Sequence, residues 1–223
     1  ILRQVTKVKD ENSGQEYYVK NIFFIPENLT EVTVTGGNIS NSAFYNCSNL
    51  KSIKISDTTE IIGESAFYNC IGIKNLNIPE TTKSIGAEAF KNCVLLESMV
   101  VPSSVEKIGE GVFNGCYSLK ELELPYAGAK LFYELSDDVR MYPLGYVFGK
   151  TSYPESYKVE QFAYKNNAPE TKYYAYFPIS LKRILINDGL IKSGTLCRCE
   201  YVQELELRQP INYVAKGTFS NYT

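Results

Sequence analysis

A pattern of apolar positions recurs along this chain at intervals of 23 residues. Each copy holds a phenylalanine, a cysteine three residues later and a leucine or isoleucine three residues after that, with mostly polar residues between them. The phenylalanine and cysteine columns are Phe44, Phe67, Phe90, Phe113 and Cys47, Cys70, Cys93, Cys116. Fixed self-similarity of this length predicts a solenoid, in which each repeat is one turn that only its neighbours can bury.

Segments that alternate apolar and polar positions follow each cysteine, as in LKSIKI (50–55) and LKELEL (119–124). Such alternation is typical of a strand with one buried face. We predict parallel strands near 29–34, 50–55, 73–78, 96–101 and 119–124, resuming near 181–186 and 202–207. A glycine follows a second short extended piece, at Gly63, Gly86 and Gly109, and is expected to allow a tight turn.

The repeat pattern is interrupted and then starts again. Residues 126–172 break the period, and the stretch after them matches the start of the chain, as Pro178 matches Pro26. We therefore divide the chain into a first array (1–125, with 1–28 as a lead-in), a tyrosine-rich insert (126–172) and a second, truncated array (173–223). A structureless loop of that length would be unusual in a compact domain, so we expect the insert to be folded or functional.

Composition narrows the function classes. The formal charge of −2, from 23 basic and 25 acidic residues, argues against nucleic acid or an anionic membrane as partner, because both favour a basic excess. No apolar run approaches the roughly 18 residues of a membrane helix. Histidine, the commonest general base and metal ligand, does not occur. The chain has no initiator Met and stops within the pattern, so we expect a piece of a longer protein.

Motifs such as AFYNCSNLKSIKI, followed in later copies by VEKIG, resemble the BspA-like leucine-rich repeats. The resemblance covers 29–125 and, less fully, 173–219, and PLGYVFGKTSY from Pro143 resembles a spacer between repeat blocks. It implies a leucine-rich repeat solenoid with a parallel β-sheet on one face and short strands and 3-10 or short helical turns on the other. It also implies an extracellular, cell-surface protein of a host-associated bacterium or mucosal parasite, with a role in adhesion to matrix proteins.

The cysteine column allows two interpretations. Stacked rungs would bring the α-carbons about 5 Å apart, within disulfide range, but in-register side chains point the same way rather than at each other. Zinc is disfavoured, because the spacing is unlike that of a metal knuckle. We favour buried, reduced thiols that fill one slot of the core and give a weak hydrogen bond to the backbone. Cys197, outside the column, is expected to be a free thiol.

Other candidate chemistry is sparse. Asp137 and Asp138, near Glu134, lack the dense spacing of a calcium loop, so a solvated loop is favoured. The sequence has no phosphate-binding glycine loop, nucleophile elbow or zincin motif, and we expect no catalytic residue, cofactor or metal. Glycosylation sequons, which matter only in a eukaryotic secretory pathway, occur at Asn28, Asn38, Asn46 and Asn221.

The polar positions of the strands form the candidate binding surface. They point away from the core, and we call them the sheet face. Its two columns are Ser52, Asn75, Ser98, Glu121 and Lys54, Asn77, Val100, Glu123. The face runs from basic at Lys51 and Lys54 to acidic at Glu121 and Glu123, and solenoids commonly bind ligands on such extended faces. The alternative is a merely solvated sheet.

The insert is dense in aromatic residues. They are Tyr126, Phe132, Tyr133, Tyr142, Tyr146, Phe148, Tyr153, Tyr157, Phe162 and Tyr164. They can cover the solenoid core or present aromatic anchors to a partner, and we favour the structural role.

Two functional hypotheses follow. The first is a non-catalytic extracellular adhesion module, monomeric, that contacts host or microbial proteins or glycans. The second is a structural spacer that presents another domain, perhaps a catalytic one, of the full-length protein. A contiguous apolar or aromatic patch would favour the first hypothesis, and a uniformly polar surface the second.

Overall fold

The computed structural model of the protein describes residues 6–9, 16–19, 29–127, 140–141, 143–165, 168–187, 196 and 198–208. Over these ranges the chain is a solenoid of short strands with one 3-10 helix, Leu144–Val147, and no α-helix. The strands are β1 (Thr6–Lys9), β2 (Glu16–Val19), β3 (Glu31–Thr33), β4 (Ser52–Lys54), β5 (Ile61–Ile62), β6 (Ser84–Ile85), β7 (Ser98–Val100), β8 (Lys107–Ile108), β9 (Glu121–Leu124), β10 (Arg140–Met141), β11 (Ser156–Lys165), β12 (Ala168–Pro178), β13 (Arg183–Ile186) and β14 (Glu204–Leu207).

The strands of three or four residues that begin at β3 stack in parallel along one side of the solenoid. We call each turn a rung and number the rungs 1 to 7 by the seven predicted strands in chain order. Six of these strands are confirmed, as β3, β4, β7, β9, β13 and β14, in two sheets ordered β3-β4 and β14-β13-β9-β7. Leu122 aligns with Met99 on one side and with Ile184 on the other. The second array therefore continues the stack of the first.

The strand predicted at 73–78, in rung 3, is wrong. Its apolar positions keep the alternating burial of a strand. In the described part of the chain, however, a single backbone hydrogen bond joins residues 74–78 to a neighbouring rung, from Glu97 N–H to Lys74 O at 3.1 Å. The outward positions are Asn75 and Asn77, and asparagine is depleted in strands because its side chain competes for backbone groups. Side-chain packing and the backbone hydrogen bonds elsewhere in the rung, as from Phe90 N–H to Val112 O, hold it in the stack while its ladder on the sheet face stays open.

The part of each rung that carries the phenylalanine and the cysteine is called the turn edge (42–47, 65–70, 88–93 and 111–116). Its rings are buried and stack in one row, with centroids 5.2, 5.4 and 5.9 Å apart from Phe44 to Phe113. The short helical turns predicted here are i to i+3 hydrogen bonds, as from Cys47 N–H to Phe44 O at 3.1 Å. Left-handed residues such as Asn46 (φ 62) interrupt them.

The glycine column has a different role from the one expected. Gly63, Gly86 and Gly109 lie outside the left-handed region, so no special turn requires them. Instead the preceding rung passes directly over them, and a Cβ at Gly109 would overlap the backbone nitrogen of Ala87. These glycines follow the short parallel strands β5, β6 and β8, which form a separate three-stranded sheet. The column therefore allows a close approach of backbones between rungs.

The insert continues the turn edge beyond rung 4. Gly111 and Phe113 donate their N–H groups to Tyr146 O (2.9 Å) and Val147 O (2.8 Å), which repeats the bonding between earlier rungs. The antiparallel strands β11 and β12 then lead into β13, just as the antiparallel pair β1 and β2 precedes β3. The array thus starts twice in structure as in sequence, while the domain boundaries at 125 and 172 stay predictions.

Most of the insert's described aromatic side chains pack inward. Phe148 and Phe177 are buried, with ring centroids 4.4 Å apart, and Tyr157 packs against Phe177 at 6.0 Å. Tyr126 is also buried, and Tyr146, Tyr153, Tyr157 and Phe162 are half-buried. The side chains of Phe132, Tyr133, Tyr142 and Tyr164 lie outside the described residues. The described part supports the structural role.

Candidate binding surface

The predicted columns of the sheet face lie together on one surface. Ser52, Lys54, Asn75, Asn77, Ser98, Val100 and Glu121 are exposed and Glu123 is half-buried. Ser98 aligns with Glu121, and Val100 aligns with Glu123. The second array extends both columns, through Arg183 and Glu204 in one and Leu185 and Glu206 in the other.

At rungs 5 to 7 three of the four glutamates of the sheet face, Glu123, Glu204 and Glu206, are paired with arginines of the same chain. Arg208 Nε donates to Glu206 Oε1 at 2.8 Å, and its Nη1 donates to Glu123 Oε1 at 3.1 Å. Arg183 Nη2 donates to Glu206 Oε2 at 3.0 Å, and its Nε lies 3.0 Å from Glu204 Oε1, an ion pair without hydrogen-bond alignment. The hydrogen bond from Arg208 lowers the pKa of Glu206. The acidic end of the face is therefore partly compensated within the chain, because three glutamates share two arginines.

Arg208 crosses over a leucine of the sheet face. It binds Glu123 on β9 and Glu206 on β14, and β13 lies between these strands with Leu185 at the aligned position. Leu185 is 3% exposed although its register points outward. Because Arg208 and Glu123 are 85 residues apart, no short-range pattern indicates this contact.

At rungs 2 and 3 the cations have no such partners. Lys51, Lys54 and Lys74 are exposed, and no hydrogen bond or ion pair joins their side chains to the described part of the chain. The nearest acidic column position beyond them, Glu97, is bound to Lys120 at 2.8 Å. The two ends of the sheet face therefore differ: no described carboxylate binds the lysines at the basic end, whereas two arginines bind three of the four glutamates at the acidic end.

The cysteine column is confirmed as buried free thiols. Cys70, Cys93 and Cys116 each donate S–H to a phenylalanine carbonyl, at 3.0, 3.3 and 3.1 Å. Burial raises the pKa of the Cys116 thiol to about 12. Such thiols are inert, because the thiolate is the reactive species. Cys199 fills the same slot in the second array, and Cys197 lies outside the described residues.

A ladder of asparagine side chains runs beside the thiols. Asn69 Nδ2 donates to Asn46 Oδ1 and Asn92 Nδ2 donates to Asn69 Oδ1, both at 2.8 Å. All three residues have φ near 60°, a conformation that asparagine tolerates better than most residues. Gly115 occupies the next slot and ends the ladder. The 23-residue recurrence of asparagine was the available signal for this feature, and the sequence analysis did not use it.

An exposed apolar strip was also missed. It consists of positions just after the cysteines in rungs 2 to 4, and we call it the corner strip. Ile71, Leu95 and Tyr117 are 41%, 42% and 37% exposed, and Val94 is half-buried. The 23-residue spacing of Ile71, Val94 and Tyr117 was visible in the sequence, but these positions vary in residue type and so drew no attention.

No group of three or more metal-ligating side chains occurs within the described residues. Asp137, Asp138 and Glu134 lie outside them. In the same part of the chain no helix has the length and apolarity to span a bilayer.

Parallel rungs, a stacked phenylalanine row and an outward sheet define a leucine-rich-repeat solenoid, a fold that generally serves as a binding scaffold rather than a catalyst. The family described as BspA type leucine rich repeat region matches residues 37–136 and 146–223 in six copies. The chain belongs to this family. No curated protein matches it.

Three solved structures are similar. A leucine-rich repeat protein from Bacteroides ovatus is 35% identical over 44% of this chain and 25% of its own, with a TM-score of 0.43. The T. pallidum leucine rich repeat protein is 17% identical over 87% and 79%, with a TM-score of 0.48. A leucine rich cell surface protein from Faecalibacterium prausnitzii is 18% identical over 85% and 62%, with a TM-score of 0.37. The chain thus spans about a quarter of the first of these proteins.

Proposed function

We propose that this chain is a non-catalytic, extracellular binding module of a bacterial surface protein, which adheres to host or microbial proteins or glycans. The observation that carries the proposal is the uncovered sheet face. The insert's hydrogen bonds to rung 4 go to its turn edge, as from Phe113 to Val147, and leave the outward columns of rungs 2 to 4 exposed. Family membership supports a repeat module for interaction.

The corner strip adds support for a macromolecular ligand. Specific interfaces place apolar and aromatic groups at their centre and polar groups around them, and Ile71, Leu95 and Tyr117 are exposed at the border of the polar sheet face. We propose a monomeric module that uses neither nucleic acid nor a membrane as partner.

A structural spacer is the second candidate. It is favoured by the insert, which joins the two arrays into one continuous stack through the pairing of β9 with β13. A spacer of this kind would hold another domain of the full-length protein at a fixed distance.

The test is a binding screen of the 223-residue chain against matrix proteins and mucin glycans. The variant Ser98→Arg, Val100→Glu changes exposed outward positions and should weaken binding at least tenfold with an unchanged unfolding midpoint. The matched control, Ser103→Arg, Ile61→Glu, makes the same changes of charge at exposed residues away from the sheet face. A chain that binds no ligand at about 50 μM while the full-length protein adheres would make the spacer the function.

A further inference from the structure

We infer that the basic end of the sheet face, at rungs 2 and 3, binds an anionic glycan that carries sulfate or carboxylate groups. The inference rests on the proposed binding function and names the ligand class and the part of the face that takes it. It depends on three observations: unpaired cations, amide-rich neighbours and an open backbone ladder.

The unpaired cations are Lys51, Lys54 and Lys74. All three are exposed, and their side chains have no hydrogen bond or ion pair within the described chain. Lys51 and Lys74 occupy equivalent positions on consecutive rungs, and stacked strands lie roughly 5 Å apart. Like charges at this spacing repel one another, and an anion between them removes the repulsion.

The same chain pairs most of the sheet-face charges of rungs 4 to 7, although no ion pair with a described residue involves Glu121. Glu97 binds Lys120, and two arginines bind three of the glutamates of rungs 5 to 7. The contrast matters because exposed ion pairs form readily wherever a partner is within reach. At the basic end no described carboxylate binds the lysines, so they are available to an external anion.

The uncharged side chains around these lysines favour a sugar over a protein. Ser52, Asn75 and Asn77 are exposed hydroxyl and amide groups, which both donate and accept hydrogen bonds, as sugar hydroxyls do. On rungs 2 and 3 the outward positions of the sheet face hold no aromatic or aliphatic residue. Protein interfaces are enriched in such anchors at their centre, whereas clustered surface lysines are one mark of a heparin-binding patch.

Rung 3 adds backbone groups to the same place. Residues 74–78 have one backbone hydrogen bond to a neighbouring rung in the described structure, to Lys74 O. The remaining polar backbone groups beneath Asn75 and Asn77 must therefore be satisfied by water. Water covers the polar groups of this surface, and the hydroxyl groups of a charged polysaccharide can take the place of that water.

The experiment measures binding of heparin, a sulfated and carboxylated glycan, to the 223-residue chain at about 50 and 300 mM NaCl. Desulfated heparin and polyglutamate serve as comparison probes. We expect micromolar binding of heparin that weakens steeply with salt, because exposed charges are screened, and much weaker binding of both comparison probes.

Two matched variants locate the site. Lys51→Gln, Lys54→Gln, Lys74→Gln should weaken heparin binding by about tenfold or more, since each exposed ion pair contributes a few-fold. Lys83→Gln, Lys107→Gln, Lys158→Gln removes the same charge from exposed lysines elsewhere and should change affinity less than threefold. A third variant, Asn75→Ala, Asn77→Ala, should cost several-fold without altering the salt dependence.

Each contrary result has a definite meaning. Equal losses in both lysine variants would show unspecific attraction and overturn the inference. Tighter binding of polyglutamate than of heparin would assign the site to an acidic peptide instead. If heparin fails to bind while a matrix protein binds, the inference falls and the proposed function stands. If every ligand fails, both fall.

Discussion

The turn edge and the sheet face follow opposite rules within the same rungs. At the turn edge the same residue makes the same contact each time: the thiol to carbonyl distances are 3.0, 3.3 and 3.1 Å, and both asparagine bonds are 2.8 Å. On the sheet face every rung from 2 to 5 carries a different outward pair. Uniform columns are those that stack on their own copies. The varied columns have no stacking role, so their residues can be selected for binding a ligand.

The largest expected loss of stability is at the turn edge, where the columns are uniform. Phe90→Ala should lower the free energy of unfolding by about 3–5 kcal/mol, because Phe90 is 1% exposed and lies between two stacked rings. Urea titration measures the loss. Val100→Ala, on the varied side, should cost less than about 0.5 kcal/mol. Similar losses in the two variants would contradict the contrast.

A smaller effect is expected where backbones meet. Gly109→Ala should destabilise by about 1–3 kcal/mol, because the new methyl group forces the rungs apart. Gly36→Ala is the matched control: its Cβ would meet Thr58 Oγ1 at an ordinary 3.7 Å. Urea midpoints of the two variants decide the matter, and a neutral Gly109→Ala would refute the close approach.

The asparagine ladder gives the next effect. Asn69→Ala removes two amide hydrogen bonds and places alanine at φ 58°, so we expect a loss of about 1–2 kcal/mol. Asn69→Gly, which copies the chain's own Gly115, keeps the backbone relaxed and isolates the hydrogen bonds. If glycine restores full stability, the amide ladder contributes nothing.

Alkaline pH should weaken the thiol column. The folded chain holds Cys116 neutral, with a pKa of about 12, whereas an unfolded cysteine ionises near 8.5. The stabilisation is complete below the unfolded pKa and is lost as the pH rises toward the folded one, by roughly 1–2 kcal/mol at pH 10. Cys116→Ala should therefore show a shallower fall of urea midpoint between pH 8 and 10. An identical slope would argue that the thiol is solvated.

The smallest effect belongs to the sheet face. Arg208→Gln should cost less than about 1 kcal/mol, because its ion pairs are exposed. It should also increase protease or dye access to Leu185, which the arginine crosses. Faster chymotryptic cleavage or stronger binding of a hydrophobic dye, without a shift of the unfolding midpoint, is the expected result. A large loss of stability would show that Arg208 has a structural role.

The sequence predicted the solenoid because the apolar positions that form its core recur at a fixed interval. Phe67 and Cys70 recur in a fixed slot, and a slot shared by successive rungs has to be interior. The same logic missed Asn69, whose column was read as polar filling although it stacks as regularly as the rings. Periodicity also misled at 73–78, where apolar spacing was intact but two outward asparagines opened the ladder.

The candidate surface was less accessible to sequence reasoning. The columns of Lys54 and Asn77 were placed correctly on one face, since burial alternates along rungs 2 to 5. The ion pairs at the acidic end were not predicted, because Arg208, which binds Glu123 and Glu206, comes from a distant part of the chain. Ion pairs between rungs that are distant in sequence depend on how the second array packs on the first. The spacing of residues within one repeat does not predict such pairs.

The open ladder at rung 3 has a mechanical consequence. A pull along the solenoid axis is carried from rung to rung by backbone hydrogen bonds, on the sheet side and on the turn side in parallel. At rung 3 the turn side keeps its bonds, from Phe67 to Ala89 and from Phe90 to Val112, while the sheet side has one. Tension at rung 3 is therefore carried by the turn edge and by the pairing of β6 with β5 and β8 rather than by the sheet face, so we expect the array to bend first at this rung.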